Sequence, residues 1–264
     1  MNTLATKNAS ISRNGRCILH SATVSLSSGQ LLSIVGPNGS GKSTLLRTLA
    51  GLWQANEGEV LLNSQPIKTF SRKDVAKRIA FVPQEALMDF SFTVGEIVAM
   101  GRHPHRGRFS RETASDHEAV ENALERCDVV QLRHRLVTTL SGGERQRVVI
   151  ARGLAVDPEF ILLDEPTANL DVEHALEVLE LCSILARDGK AVAFATHDLN
   201  AVARYASSVV LVQGGKLIDA GNREQVLSRK NVEDVFRVRA ELVASDQGHP
   251  VYVFHRRMDN YPAQ

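Results

Sequence analysis

The sequence predicts an α/β fold: a mostly parallel sheet with an N-terminal antiparallel β part and an inserted α-helical subdomain. Short apolar, strand-like runs alternate with helical patterns, as in residues 31–35, 160–163 and 191–195. Near the N-terminus, Asn14-Gly15 is typical of a two-residue hairpin turn, and residues 22–26 alternate apolar and polar side chains.

Each further element has a local cause. Residues 31–35 end at Gly36, as expected of a buried strand that leads through a glycine-rich turn into a helix. Residues 172–187 carry apolar side chains on one helical face. Gly214-Gly215 separates two strand-like runs and predicts a second hairpin.

The predicted organisation is one domain over residues 1–230 and a short C-terminal extension over 231–264. Apolar residues recur at helical spacing between about 88 and 158, so we expect the helical subdomain there. Residues 251–254 suit a short final strand, and no chemistry follows from it.

Bulk composition excludes several classes of protein. The 264 residues include 31 Lys and Arg against 30 Asp and Glu, a net charge of +1, so no global charge favours nucleic acid. Three widely separated cysteines predict neither a disulfide framework nor a cysteine zinc site. No apolar run is long enough to span a bilayer, so any work at a membrane would need other chains.

Residues 36–43, GPNGSGKS, meet the pattern G-x-x-x-x-G-K-[ST] of a P-loop NTPase (RecA-like). Glycines let backbone N–H groups converge on phosphate oxygens, and the helix that follows directs its positive end to the same place. Lys42 supplies a cation for the β- and γ-phosphates, and Ser43 offers a hydroxyl to Mg²⁺. The predicted ATP-binding residues here are Gly36, Pro37, Asn38, Gly39, Ser40, Gly41, Lys42, Ser43 and Thr44.

Asp164 and Glu165 follow the apolar strand 160–163 directly. Two adjacent carboxylates at the end of a buried strand are costly unless a cation is close. We expect Asp164 to orient Mg²⁺ and Glu165 to polarise the water that attacks the γ-phosphate.

Residues 140–147, LSGGERQR, resemble the signature motif of ABC-type ATPases. Ser141, Gly142 and Gly143 precede an apolar-periodic helix and predict a second helix N-terminus with free N–H groups for an anion. The resemblance implies that these residues contact the ATP held by a second copy in a head-to-tail dimer.

Other motifs of the family occur in the same order along the chain. The resemblance implies that Gln84 contacts Mg²⁺ and the attacking water and that Asp171 lies along the dimer seam. It also implies that His197 contacts the γ-phosphate. The family usually has an aromatic residue that stacks on adenine; Arg13 stands at the matching position, and its guanidinium is flat enough to replace it.

The sequences of residues 92–107 and of His197–Asn200, HDLN, are similar to those of ATPases that serve importers of ferric siderophores, haem or cobalamin. That resemblance implies two integral membrane permease subunits, indirectly a substrate-binding protein, and a place at the cytoplasmic face of the inner membrane. Residues 85–107 are the candidate docking surface for the permeases. Alternatively, the basic residues there form a solvated loop: Arg102, His103, His105, Arg106 and Arg108.

Two rival functions remain to be weighed. A soluble ABC ATPase of DNA repair or translation usually carries two ATPase domains or long coiled coils, whereas this chain has a single GPNGSGKS and a balanced charge. A regulatory module without turnover is expected to lack Glu165 or His197, and both are present.

Overall fold

A computed structural model describes residues 1–84, 91–107, 111–245 and 250–257. The strands are β1 (Thr3–Arg13), β2 (Arg16–Ser27), β3 (Leu31–Val35), β4 (Glu57–Leu62), β5 (Gln65–Pro66), β6 (Ile79–Val82), β7 (Phe160–Asp164), β8 (Ala191–Thr196), β9 (Ser208–Gln213), β10 (Lys216–Asn222), β11 (Val238–Ala244) and β12 (Pro250–Arg256). The α-helices are α1 (Lys42–Leu49), α2 (Arg72–Arg78), α3 (Val94–Ala99), α4 (Ala114–Arg126), α5 (Gly142–Leu154), α6 (Val172–Arg187), α7 (Leu199–Tyr205), α8 (Arg223–Val226) and α9 (Arg229–Phe236).

Ten strands form one mixed sheet in the order β5-β4-β1-β2-β10-β9-β3-β8-β7-β6. Its parallel part consists of β6, β7, β8, β3 and β9, whereas β1 pairs antiparallel with both β2 and β4. Because parallel strands end at the same edge, the segments that follow β3, β7 and β8 meet there. The predicted α/β fold is confirmed.

Both predicted hairpin turns are confirmed, the second by the pairing of Gln213 with Lys216 across Gly214-Gly215. Asn14 and Gly15 have φ of 49° and 73°, and Arg13 pairs with Arg16 across the turn. Two successive positive φ angles are what a two-residue hairpin turn matching the strand twist requires.

Three buried clusters hold the layers together. The first joins one face of the parallel strands to α6 and to the inserted helices α3, α4 and α5, for example Val98, Leu124 and Phe194. The second buries α1 against the opposite face. The third packs α7 and β9 against α9 and the final strands through residues such as Val235 and Tyr252. Both faces of the sheet are therefore covered, and the segment after residue 230 shares the third cluster.

The basic segment after α3 differs from the expected solvated loop. Arg102 is buried, and its Nε donates to Asp116 Oδ1 at 2.9 Å while a second guanidinium nitrogen donates to Ala155 O at 2.8 Å. The Arg102 hydrogen bond, together with donors from Thr113, holds the pKa of Asp116 well below its usual range. Arg102 is therefore part of the packing between α4 and the end of α5.

Two further basic residues of this segment, His105 and Arg106, make polar contacts of their own. His105 Nε2 lies 2.8 Å from Val156 O, and Arg106 pairs with Glu112 at 3.0 Å. Arg108 and residues 85–90 lie outside the described residues. Across the described ranges, no helix combines the length and apolar character that a membrane span needs.

Candidate functional site

The phosphate loop, residues 36–43, connects β3 to α1 at the edge where the parallel strands end. Gly41 is the N-cap of α1 with φ of 108°, a conformation that side-chain-bearing residues avoid. No side chain caps α1, and its first turn contains no acidic residue. The first N–H groups of α1 therefore have no carboxylate of their own helix competing with an anion.

Lys42 bends back into the phosphate loop. It is 4% exposed, and its Nζ donates to Gly36 O at 3.0 Å and to Pro37 O at 3.2 Å. These neutral carbonyls hold the ammonium group inside the loop without neutralising its charge. The loop thus offers a buried cation together with the start of a helix.

Asp164 is the last residue of β7 and is 1% exposed. Its Oδ1 accepts from Ser43 Oγ at 2.7 Å, and its Oδ2 lies 3.5 Å from the Arg47 guanidinium. Burial raises the pKa of Asp164 in spite of these contacts. A hydroxyl beside an under-compensated carboxylate is an oxygen donor set that fits Mg²⁺.

Glu165 adopts φ of 46°, a left-handed conformation that costs energy for a residue with a side chain. Its N–H donates to Ala195 O at 3.1 Å, which anchors the turn to β8. Glu165 Oε1 lies 3.4 Å from Lys42 Nζ, and Oε2 lies 3.4 Å from His197 Nδ1. The strained turn therefore places one carboxylate between a cation and an imidazole.

A cleft of about 440 Å³ lies between the phosphate loop and Glu165. Its lining includes Asn38, Lys42, Ser43, Gln84 and Glu165, so residues predicted from three separate segments meet in one place. A second cavity of about 930 Å³ shares Glu165 and Gln84 and extends past His197 and Asp171. Both volumes lie in the range of small-molecule sites.

The signature turn, residues 141–143, is built differently. Ser141 Oγ accepts from Glu144 N at 3.2 Å, and Ser141 N donates to Glu144 Oε2 at 2.8 Å. This capping box occupies the N–H groups of Ser141 and Glu144. Of the three residues predicted to present free N–H groups, Gly142 and Gly143 are left. The prediction that the whole turn presents free donors is therefore too broad.

The signature turn packs on the segment that leads into α6. A Cβ at Gly143 would overlap the ring of His174, whose Nδ1 lies 2.7 Å from Asp171 Oδ1. Asp171 in turn accepts from His174 N at 3.0 Å and caps α6. Sequence reasoning missed His174, and its place three residues after the N-cap of α6 was the available signal.

Arg13 lies at the end of β1, where its guanidinium carbon is 3.7 Å from the centroid of the Trp53 ring. One face of the guanidinium is thus covered, and a base would have to stack on the other. Trp53 is the only tryptophan of the chain, and sequence reasoning did not predict this contact. Within the described residues, neither Arg13 nor the signature turn lines the two cavities.

Residues 19–168 match the family model described as ABC transporter. The chain belongs to the ABC transporter family. It is 37% identical to the iron(3+)-hydroxamate import ATP-binding protein FhuC of Bacillus subtilis, over 92% of this chain and 91% of that protein. The predicted resemblance is confirmed.

Two further comparisons agree with this family. The chain is 44% identical over 86% of its length to the cobalamin import ATP-binding protein BtuD of Halobacterium salinarum, and it spans 57% of that relative. The dimeric structure of MJ0796, a bacterial ABC transporter cassette, matches with a TM-score of 0.72 and 28% identity, covering 84% of this chain and 99% of that one.

Proposed function

We propose that this chain is the ATP-binding, ATP-hydrolysing subunit of an ABC importer for an iron siderophore, haem or cobalamin. The observation that carries the proposal is the convergence of Lys42, Glu165 and His197 at the phosphate loop, with 3.4 Å on either side of the carboxylate. The names of the FhuC and BtuD relatives support the class of cargo.

In this proposal each polar group of the cleft has one task. Lys42 and the first N–H groups of α1 bind the β- and γ-phosphates, and His197 contacts the γ-phosphate. Glu165 accepts the proton of the attacking water, since it is the carboxylate directed into the cleft. Ser43, Gln84 and Asp164 would hold Mg²⁺, which when bound supplies positive charge to the phosphate oxygens.

The signature turn and Asp171 serve a second copy of the chain. Asp171 lies on the larger cavity beside the phosphate cleft, whereas Gly142 and Gly143 line neither cavity, so an anion contact from the signature turn would need ATP from elsewhere. We propose a head-to-tail dimer with two ATP molecules between the chains, and the dimeric cassette MJ0796 supports it.

We propose the membrane partners from the subunit organisation of importers in this family. Two permease subunits would hold the dimer at the cytoplasmic face of the inner membrane, and a substrate-binding protein would deliver the cargo. Of the proposed docking surface, residues 91–107 lie in the described structure, and Arg102 is excluded because it is buried.

Changing Glu165 to Gln tests the catalytic part. The amide keeps the size of the side chain but accepts a proton poorly, so kcat is expected to fall by about 10²–10⁴-fold. Binding of ATP, measured by calorimetry, should persist. Glu173→Gln, at an exposed position in the first turn of α6, is the matched control. Unchanged turnover in Glu165→Gln would remove Glu165 from its role.

Isolation of the tagged chain from native membranes tests the transport part. Co-purification of integral membrane proteins is expected. Recovery with DNA or ribosomes instead would favour the soluble ABC ATPase.

A further inference from the structure

The C-terminal hairpin, formed by β11 and β12, is built into the third buried cluster. Tyr252 is 6% exposed and packs with residues of α7 and β9. Its hydroxyl donates to Leu227 O. The hairpin is thus held by packing against the helix that follows His197.

One side chain of α7 makes two hydrogen bonds to the backbone of this hairpin. Asn200 Oδ1 accepts from Tyr252 N at 2.7 Å, and Asn200 Nδ2 donates to Tyr252 O at 3.3 Å. A carboxamide satisfies both backbone groups of one residue, as a neighbouring strand would. Neither a carboxylate nor an alkyl group makes both bonds.

Asn200 lies in the first turn of α7, close to His197 in the chain. Asp198 caps this helix by accepting from Asn200 N at 2.9 Å and from Ala201 N at 3.1 Å. Asp198 N in turn donates to Thr196 Oγ1 at 3.1 Å. The backbone from the end of β8 to Asn200 is therefore a continuous hydrogen-bonded segment with His197 in its middle.

The side chain of His197 has little packing of its own. It is 56% exposed, and its described polar contact is the 3.4 Å approach to Glu165. The place of its imidazole therefore depends on the backbone that carries it. Residues Ser245, Pro250 and Val251 of the C-terminal segment line the same 930 Å³ cavity as Glu165 and His197.

We infer that Asn200 is a positioning residue for His197, because it ties the start of α7 to the C-terminal hairpin through the backbone of Tyr252. The inference rests on the proposed function, in which His197 contacts the γ-phosphate. The inference assigns a function to the C-terminal hairpin, whose sequence contains no motif for binding or catalysis.

The test compares Asn200→Ala, His197→Ala and the double variant by steady-state ATP hydrolysis. Loosening the segment that carries a catalytic group is expected to lower kcat of Asn200→Ala by about tenfold, with KM for ATP changed less than about twofold. Because Asn200 acts through His197, the double variant should hydrolyse ATP as His197→Ala does. Losses that multiply in the double variant would overturn the inference.

Tyr252→Phe is the matched control. It removes the hydroxyl bond to Leu227 O but keeps both backbone bonds to Asn200. We expect a lower melting temperature and an unchanged kcat. If kcat of Tyr252→Phe falls as far as that of Asn200→Ala, general loosening explains both and the inference fails.

Asn200→Asp covers the case in which the alanine variant does not fold. It keeps the acceptor for Tyr252 N and loses the donor to Tyr252 O, so its kcat should lie between wild type and His197→Ala. A wild-type kcat would overturn the inference. An unaltered His197→Ala rate would instead refute the proposed role of His197, so the two failures are distinguishable.

Discussion

The phosphate loop and the signature turn are both glycine-rich starts of helices, yet the first turns of those helices differ in charge. The helix α1 has no side-chain cap and no acidic residue in its first turn, whereas α5 begins with a capping box that brings in Glu144. The hydrogen bond from Ser141 N lowers the pKa of Glu144, so its carboxylate already neutralises part of the helix dipole.

The surroundings of the phosphate loop and of the signature turn differ in charge as well. The phosphate loop adds the buried cation Lys42, which suits a highly charged anion, and the Asp164 carboxylate beside Ser43 fits the metal ion that would accompany such an anion. The signature turn packs on His174 and offers two backbone donors beside the acid Glu144. The comparison teaches that two glycine-rich helix starts differ in the charge they can accept: the phosphate loop has a buried cation and no acidic cap, whereas the signature turn is already capped by an acid.

Lys42→Ala is expected to have the largest effect on ATP hydrolysis. A small effect would contradict the difference drawn between the phosphate loop and the signature turn. Removal of a group that stabilises the transferring phosphoryl should lower kcat by about 10²–10³-fold. Affinity for ATP, measured by calorimetry, should fall as well. The exposed Lys7→Ala should leave both unchanged, and wild-type hydrolysis in Lys42→Ala would show that the phosphate loop does not need its own cation.

Gly143→Ala probes the packing of the signature turn. Its methyl group would overlap His174, which predicts a loss of about 1–3 kcal/mol of folding stability. At Gly142 the nearest atom to an added Cβ is 3.8 Å away, so Gly142→Ala should keep its melting temperature. In a His174→Ala background the penalty at Gly143 should shrink. Equal melting temperatures for the two single variants would contradict the tight packing.

Ser141→Ala measures the cap that distinguishes α5 from α1. Loss of the hydroxyl acceptor for Glu144 N should cost about 0.5–2 kcal/mol, a fall of about 2–4 °C in Tm for each kcal/mol. Affinity for ATP in the isolated chain should not change, because the phosphate loop is intact. Ser115→Ala, at an exposed position on α4, is the control. A weaker affinity for ATP in Ser141→Ala, but not in Ser115→Ala, would contradict the conclusion that only the phosphate loop binds ATP within its own chain.

Asp164→Asn has the smallest expected effect on stability. The direction of the change in melting temperature shows whether the buried carboxylate is compensated. Burial raises the pKa of Asp164 in the folded state, so the stabilisation from protonation is complete below the unfolded pKa and is lost as pH rises through the folded pKa. At neutral pH the nucleotide-free Asn variant should therefore melt at a higher temperature than wild type, and the gain should vanish in acid. Thermal melts at both pH values check this, and a lower Tm at neutral pH would contradict an uncompensated carboxylate.

Local sequence was enough for the elements with a local cause. The apolar run of β3, the Asn14-Gly15 turn and the glycine-rich motif each depend on a few adjacent residues, and all were predicted. Arg102 was not, because its burial depends on Asp116 and on a carbonyl at the end of α5, far apart in sequence. A basic residue in a polar segment has no local signal that separates a solvated position from a buried ion pair.

The sequence by itself predicted ligands for a nucleotide's phosphates and for a metal, because motifs with fixed spacing are typical of that chemistry. Only the tertiary structure decided that Glu165 lies between Lys42 and His197 and that Asn200 holds the C-terminal hairpin. These contacts depend on how the strands and helices pack as a whole, and packing joins residues whose local sequences are compatible with many other partners.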